Sequence, residues 1–165
     1  MSKRRHRLTN NVNELLSKIV GLPCTRKEVG EHRSLSLGFG DEAPKTEPQK
    51  RIYRIWELGT YGTDWKILRG VEILVAKESA KTSYELDELL QPIHLGQFKS
   101  LHQTSPTDVR IELTDGISIE FSGVPQNDDE YFHVRCPQQV YIQFSQLGWK
   151  IGPSNEPWVG GKSHN

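Results

Sequence analysis

The chain has 165 residues, with 21 acidic and 21 basic side chains and a formal net charge of zero. That balance argues against a nucleic-acid binder working through a global positive field, and no run approaches the roughly eighteen apolar residues of a membrane span. The length fits one domain, 1–165, and a hydrophobic fraction of 35% limits it to a modest core.

Met1-Ser2-Lys3-Arg4-Arg5-His6-Arg7 has the basic start of a signal peptide, but Thr9, Asn10, Asn11 and Asn13 stand where the apolar segment should follow. Residues 1–9 therefore read as a flexible, solvated basic tail on a cytoplasmic protein. Val12, Leu15, Leu16 and Ile19 share one helical face, which predicts a helix over 12–20, stopped by Gly21 and Pro23. Strands are expected at Cys24–Val29 and, with Leu35, Leu37 and Phe39 on one face, at 33–39. The segment 41–50, with two prolines and no apolar residue larger than alanine, reads as a mobile loop. Strands follow at 51–58, 65–68 and 71–76. A second helix spans 84–90 behind Ser83, with Leu86, Leu89 and Leu90 turned inward. Phe98–Leu101 reads as a further strand.

The clearest pattern is D-V-R-I-E-L-T-D-G-I-S-I-E-F-S-G, from Asp108 to Gly123. Apolar residues alternate with polar ones on both sides of Thr114-Asp115-Gly116. A two-residue turn would set Leu113 against Ser118. A three-residue turn with left-handed Gly116 instead pairs Ile111 with Ile119, Val109 with Phe121 and Arg110 with Glu120, and keeps each face uniform. Pro125–Glu130 is an acidic loop, strands at 131–135, 140–144 and 148–151 complete the sheet, and 153–165 is an irregular, flexible tail.

The two halves follow one order. Asn13-Glu14-Leu15-Leu16 returns as Asp87-Glu88-Leu89-Leu90, and Leu35-x-Leu37-x-x-Gly40 as Ile111-x-Leu113-x-x-Gly116. Tyr53-Arg54-Ile55 returns as Phe132-His133-Val134, and Trp65-Lys66-Ile67 as Trp149-Lys150-Ile151. A pseudo-repeat of 11–78 and 84–152 is expected. The fold class is α+β: a largely antiparallel twisted sheet or half-barrel built from two related helix-plus-meander halves, with two short helices packed on it.

No nucleophile elbow, phosphate loop or EF-hand spacing is present. Cys24 and Cys136 form no C-x-x-C pair, and His133 has no further ligands at zinc spacing, so neither a metal nor another cofactor is expected. His102, His133 and Glu120 are the one acid–base trio the sheet could assemble, for a small hydrolase or nuclease. The acidic stretches at Asp41-Glu42 and Asp128-Asp129-Glu130 suit contact with a basic partner. Trp65 and Trp149 read as core, and Trp158 as an interface anchor.

Over the last third of the chain, Ile111 to Phe121, Asp128-Asp129-Glu130, Phe132-His133-Val134 and Gly148-Trp149-Lys150-Ile151-Gly152, with Ser154 to Trp158, resemble small bacterial immunity proteins. Those proteins accompany polymorphic or contact-dependent growth-inhibition toxins. The resemblance implies a cytoplasmic, non-enzymatic toxin inhibitor that occludes a cognate protein toxin, in many such systems a basic nuclease. It would bind through Asp128, Asp129, Glu130, Asp41, Glu42 and Trp158. No direct nucleic-acid or membrane contact is implied, and the expected state is a monomer or weak dimer. An assembly component built from the duplicated meander is the structural alternative.

Overall fold

A computed structural model describes residues 10–43, 53–123 and 130–153. The expected flexible segment 1–9, all of 153–165 except Pro153, which ends a strand, most of the proline-rich loop, and Asp128, Asp129 and Trp158 lie outside the described residues. The protein is α+β and mostly antiparallel. Its first half runs α1 (Asn10–Leu16), β1 (Cys24–Val29), β2 (Leu35–Glu42), β3 (Arg54–Gly59), β4 (Asp64–Arg69) and β5 (Glu72–Ala76). The second runs α2 (Ser83–Leu90), β6 (Phe98–Gln103), β7 (Asp108–Leu113), β8 (Ile117–Ser122), β9 (Phe132–Cys136), β10 (Val140–Ser145) and β11 (Gly148–Pro153).

The strands are divided between two sheets rather than joined in one. A six-stranded sheet has the order β1-β2-β3-β9-β10-β11, and a five-stranded sheet the order β5-β4-β8-β7-β6. The reason lies in alternation. Each strand has one apolar face, and two facing sheets cover both sets of such faces where one open sheet would leave them wet. Leu37, Leu58 and Val134 of one sheet and Ile67, Ile111 and Ile119 of the other are fully buried in a common core. Aromatic rings bridge the gap: Phe121 and Phe132 lie 5.0 Å apart, and Phe39 meets Phe98 edge-on at 5.7 Å.

The β7–β8 hairpin has the expected register, with Ile111 opposite Ile119, Val109 opposite Phe121 and Arg110 opposite Glu120. Gly116 is left-handed at φ 75°, and Asp115 shares that conformation at φ 64°. The first helix is shorter than its apolar spacing suggests. After Leu16 the backbone tightens into i→i+3 turns, Lys18 N–H to Leu15 O and Ile19 N–H to Leu16 O, which still bury Ile19. The second helix is capped one residue earlier than expected, by the Thr82 hydroxyl accepting from Glu85 N–H. That helix seals the edge of β1, where Asp87 accepts from Val29 N–H and Gln91 donates to Lys27 O.

The connectivity contains an approximate two-fold exchange. β1-β2-β3 in one sheet continue into β4-β5 of the other, just as β6-β7-β8 continue into β9-β10 of the first. The exchange is exact in hydrogen bonding where the sheets meet, at the bridge between Pro23 and Gln97. There Cys24 N–H donates to Gly96 O and Phe98 N–H to Leu22 O, while Gly40 N–H donates to Pro23 O and Thr114 N–H to Gln97 O. Leu37 matches Ile111, Leu58 matches Ile119, and Val134 matches Ile67. β11 has no counterpart. The Trp65 and Trp149 motifs therefore sit on strands, β4 and β11, that do not exchange, and Tyr53-Arg54-Ile55 matches β8 rather than β9.

Candidate binding cleft

The exchange allows the two outer sheet faces to be compared position by position. On the five-stranded sheet the outward residues of β7, β8 and β4 are long and charged. Arg110 bonds Glu112 at 2.6 Å and Glu120 at 2.9 Å, and Lys66 approaches Glu120 at 3.5 Å. This is a solvated ion-pair ladder of the kind that contributes little net stability. On the six-stranded sheet the matching positions are hollowed out. Ser36 stands for Arg110, Gly38 for Glu112, Gly59 for Glu120 and His133 for Lys66. The missing side chains leave a cleft of about 390 Å³.

One wall is built on Arg26 from β1. Its guanidinium makes a two-bond fork to Glu57, Nε to Oε2 at 3.1 Å and NH2 to Oε1 at 2.7 Å. It also donates to Glu28 at 2.8 Å and to the Ser36 hydroxyl at 2.5 Å. Glu57 accepts Arg54 N–H as well, at 2.6 Å. The fold makes room for this carboxylate by placing glycine opposite: a Cβ on Gly38 would stand 2.8 Å from Glu57 Oε2. Burial alone pulls Arg26 down, but the paired carboxylates of Glu57 and Glu28 more than reverse it and hold the guanidinium charged. The Tyr53 ring lies 5.5 Å from the same guanidinium carbon.

The opposite wall is His133 on β9. Its ring stacks on Tyr141, at 5.5 Å and 15°, and meets Tyr61 at a tilt of 31°, at 5.1 Å. Its Nδ1 lies 2.6 Å from Glu130 Oε1. Glu130 is only 7% exposed and also accepts the Tyr141 hydroxyl on both oxygens and the Gln143 amide, each at 2.9 Å. Burial pushes its carboxyl up, but the imidazole beside it and the donors from Gln143 and Tyr141 outweigh that and keep it below the usual carboxylate range. Tyr141 moves the other way: burial first, then the adjacent Glu130 charge, raise its hydroxyl far above ordinary tyrosine. With Nδ1 committed to Glu130, Nε2 is the ring nitrogen left to face the cleft, over the bare backbone of Gly59.

The residues expected to act are distributed differently. Glu130 belongs to this wall, not to an exposed acidic surface. Asp41 and Glu42 are exposed, but they form the end of β2, with Glu42 opposite Arg54, rather than a loop. His102 is on the outer face of the five-stranded sheet, bonded to Ser100, two strands from Glu120 and on a different sheet from His133. The acid–base trio His102, His133 and Glu120 is therefore not assembled, because Phe132–Cys136 joins β3 rather than β8. Sequence reasoning missed Arg26, Glu57 and Tyr61 altogether. The available signal was the pair of small residues, Ser36 and Gly38, at positions where the matching hairpin carries arginine and glutamate.

Both thiols are inert by environment, with Cys24 pushed up to about 11 and Cys136 to about 12, chiefly by burial. Among the described residues no cluster of three metal-ligating side chains occurs, and no helix is long and apolar enough to cross a membrane. No family model matches the chain, and neither a curated protein nor a solved structure matches it.

Proposed function

We propose that the chain is an immunity-type binding protein, which neutralises a cognate protein toxin by covering its active or substrate-binding surface. The observation that carries this reading is the cleft on the six-stranded sheet. Tyrosine and arginine, the side chains most enriched among interface hot spots, are gathered there in one concavity and held rigid by a closed set of hydrogen bonds and ion pairs. Groups ordered before binding lose little entropy on docking. The resemblance of the last third of the chain to toxin-immunity proteins supports the same reading, and the acidic Asp128-Asp129 stretch leads directly into Glu130 on the cleft wall.

The test is to mix the purified protein with the toxin encoded beside it and measure both complex formation and residual toxicity. A tight complex that abolishes toxicity is expected. A toxin that stays free and fully active ends the proposal.

Acid–base catalysis is a second reading, favoured by one observation: an imidazole oriented by a buried carboxylate, with its other nitrogen over a cleft. It predicts turnover of ester or phosphodiester substrates that His133→Ala removes. No turnover by the native protein would dispose of it.

A further inference from the structure

We infer that the cleft receives a cationic side chain, best an arginine guanidinium, projecting from the partner; this rests on the binding reading above and names what it binds. Three features converge. The first is charge. The cleft is lined by Glu28, Glu31 and Glu57 against Arg26 and Arg135, so three carboxylates face two guanidiniums. Leaving histidines aside, the difference is one negative charge, and Arg26 is already paired with both Glu57 and Glu28. An inserted cation reduces the imbalance where an anion would deepen it.

The second feature is acceptor chemistry. In the neutral ring with Nδ1–H directed at Glu130, Nε2 of His133 is a lone-pair acceptor facing the cleft. Thr60 also lines it, is only 4% exposed, and its hydroxyl has no hydrogen-bond partner among the described residues. A buried hydroxyl left without a partner is costly, and a donor-rich ligand can relieve that cost. Guanidinium carries five N–H donors and no acceptor.

The third feature is the aromatic rim. Tyr53 and Tyr61 are 37% and 43% exposed at the cleft. Tyr53 already has the Arg26 guanidinium over its ring, so this wall has the geometry that cation–π contact requires. The matching positions of the other sheet are occupied by its own Arg110 and Glu120, paired at 2.9 Å. The protein's two halves thus solve one problem twice. One half fills its outer face with its own arginine, and the other leaves a place for a foreign one.

The probe is Nα-acetyl-arginine amide, titrated against the full-length protein and followed by amide and imidazole NMR shifts. Its controls are the uncharged isostere Nα-acetyl-citrulline amide and the anionic Nα-acetyl-glutamate amide. A single side chain is expected to bind with a Kd on the order of 1 mM, with shifts confined to Gly59, Thr60, Tyr61 and His133. Citrulline should bind about tenfold more weakly, and Tyr61→Ala and Glu31→Gln should each weaken the arginine probe several-fold. Equal binding of citrulline, preference for glutamate, or no shift at about 50 mM would overturn the inference. A toxin complex indifferent to Tyr61→Ala and Glu31→Gln would also sink it while leaving the immunity proposal standing. Arginine binding without any toxin complex would do the reverse.

Discussion

Replacing Glu130 tests whether the buried wall of the cleft is ordered as described. In Glu130→Ala the Tyr141 hydroxyl, the Gln143 amide and the His133 Nδ1 lose the carboxylate they share. Each buried donor stripped of its acceptor costs about 1–3 kcal/mol. The variant no longer has to desolvate a carboxylate, which offsets part of that sum, and about 3–5 kcal/mol is the expected net loss for breaking a buried charged pair. Glu130→Gln keeps one acceptor oxygen for the imidazole and should lose less, about 1–3 kcal/mol.

The pH dependence gives the sharper discrimination. The folded carboxyl sits below its ordinary value of 4.5. The stability this contributes is present above that value and is lost as the pH falls through the lower folded value. The gap between the native protein and Glu130→Gln should therefore be full at neutral pH and narrow only as the pH falls below 4.5. Urea unfolding, with midpoint and slope fitted separately, measures it. A loss below about 1 kcal/mol for Glu130→Ala, or a native-to-glutamine gap independent of pH, would refute the reasoning.

Gly59→Ala places a Cβ 2.8 Å from the Leu35 carbonyl oxygen, so about 1–3 kcal/mol of destabilisation is expected in urea, whereas Gly62→Ala, with nothing within 4 Å, should be nearly silent. Native protein at pH 8 should resist disulfide-exchange labelling at Cys24 and Cys136, whose thiols lie at about 11 and about 12, and both should react at once in denaturant. The raised Tyr141 hydroxyl stabilises the fold fully below the ordinary tyrosine value of 10, and that contribution fades as the pH rises above it. Tyr141→Phe should flatten the alkaline limb of a stability–pH curve, and an unchanged limb would contradict the assignment.

Some features were legible because they are local. Alternation in Val109–Leu113 and Ile117–Phe121 states which face each strand buries, and uniformity of faces selects the three-residue turn. Leu86 and Leu90 mark the buried face of α2 in the same way, but Leu89, expected inward with them, is exposed. The candidate site was not legible by this route. His133 was singled out in the sequence as one of an acid–base trio, but its neighbours were misassigned. Glu130 reads as part of a charged loop in sequence. Only its position beside Tyr141 and Gln143, eleven and thirteen residues later, turns it inward.

The order of residues alone was enough to determine the α+β class, nearly every strand and one hairpin register, because period and turn chemistry act within a few residues. The tertiary structure decided that β3 pairs with β9 and β4 with β8, and hence that there are two sheets rather than one. It also decided that glycine and serine come together opposite His133, while their counterparts fill the other face with charge. Those outcomes depend on which distant strands become neighbours, and the energy that selects them is burial of both apolar faces at once, a property no single segment carries.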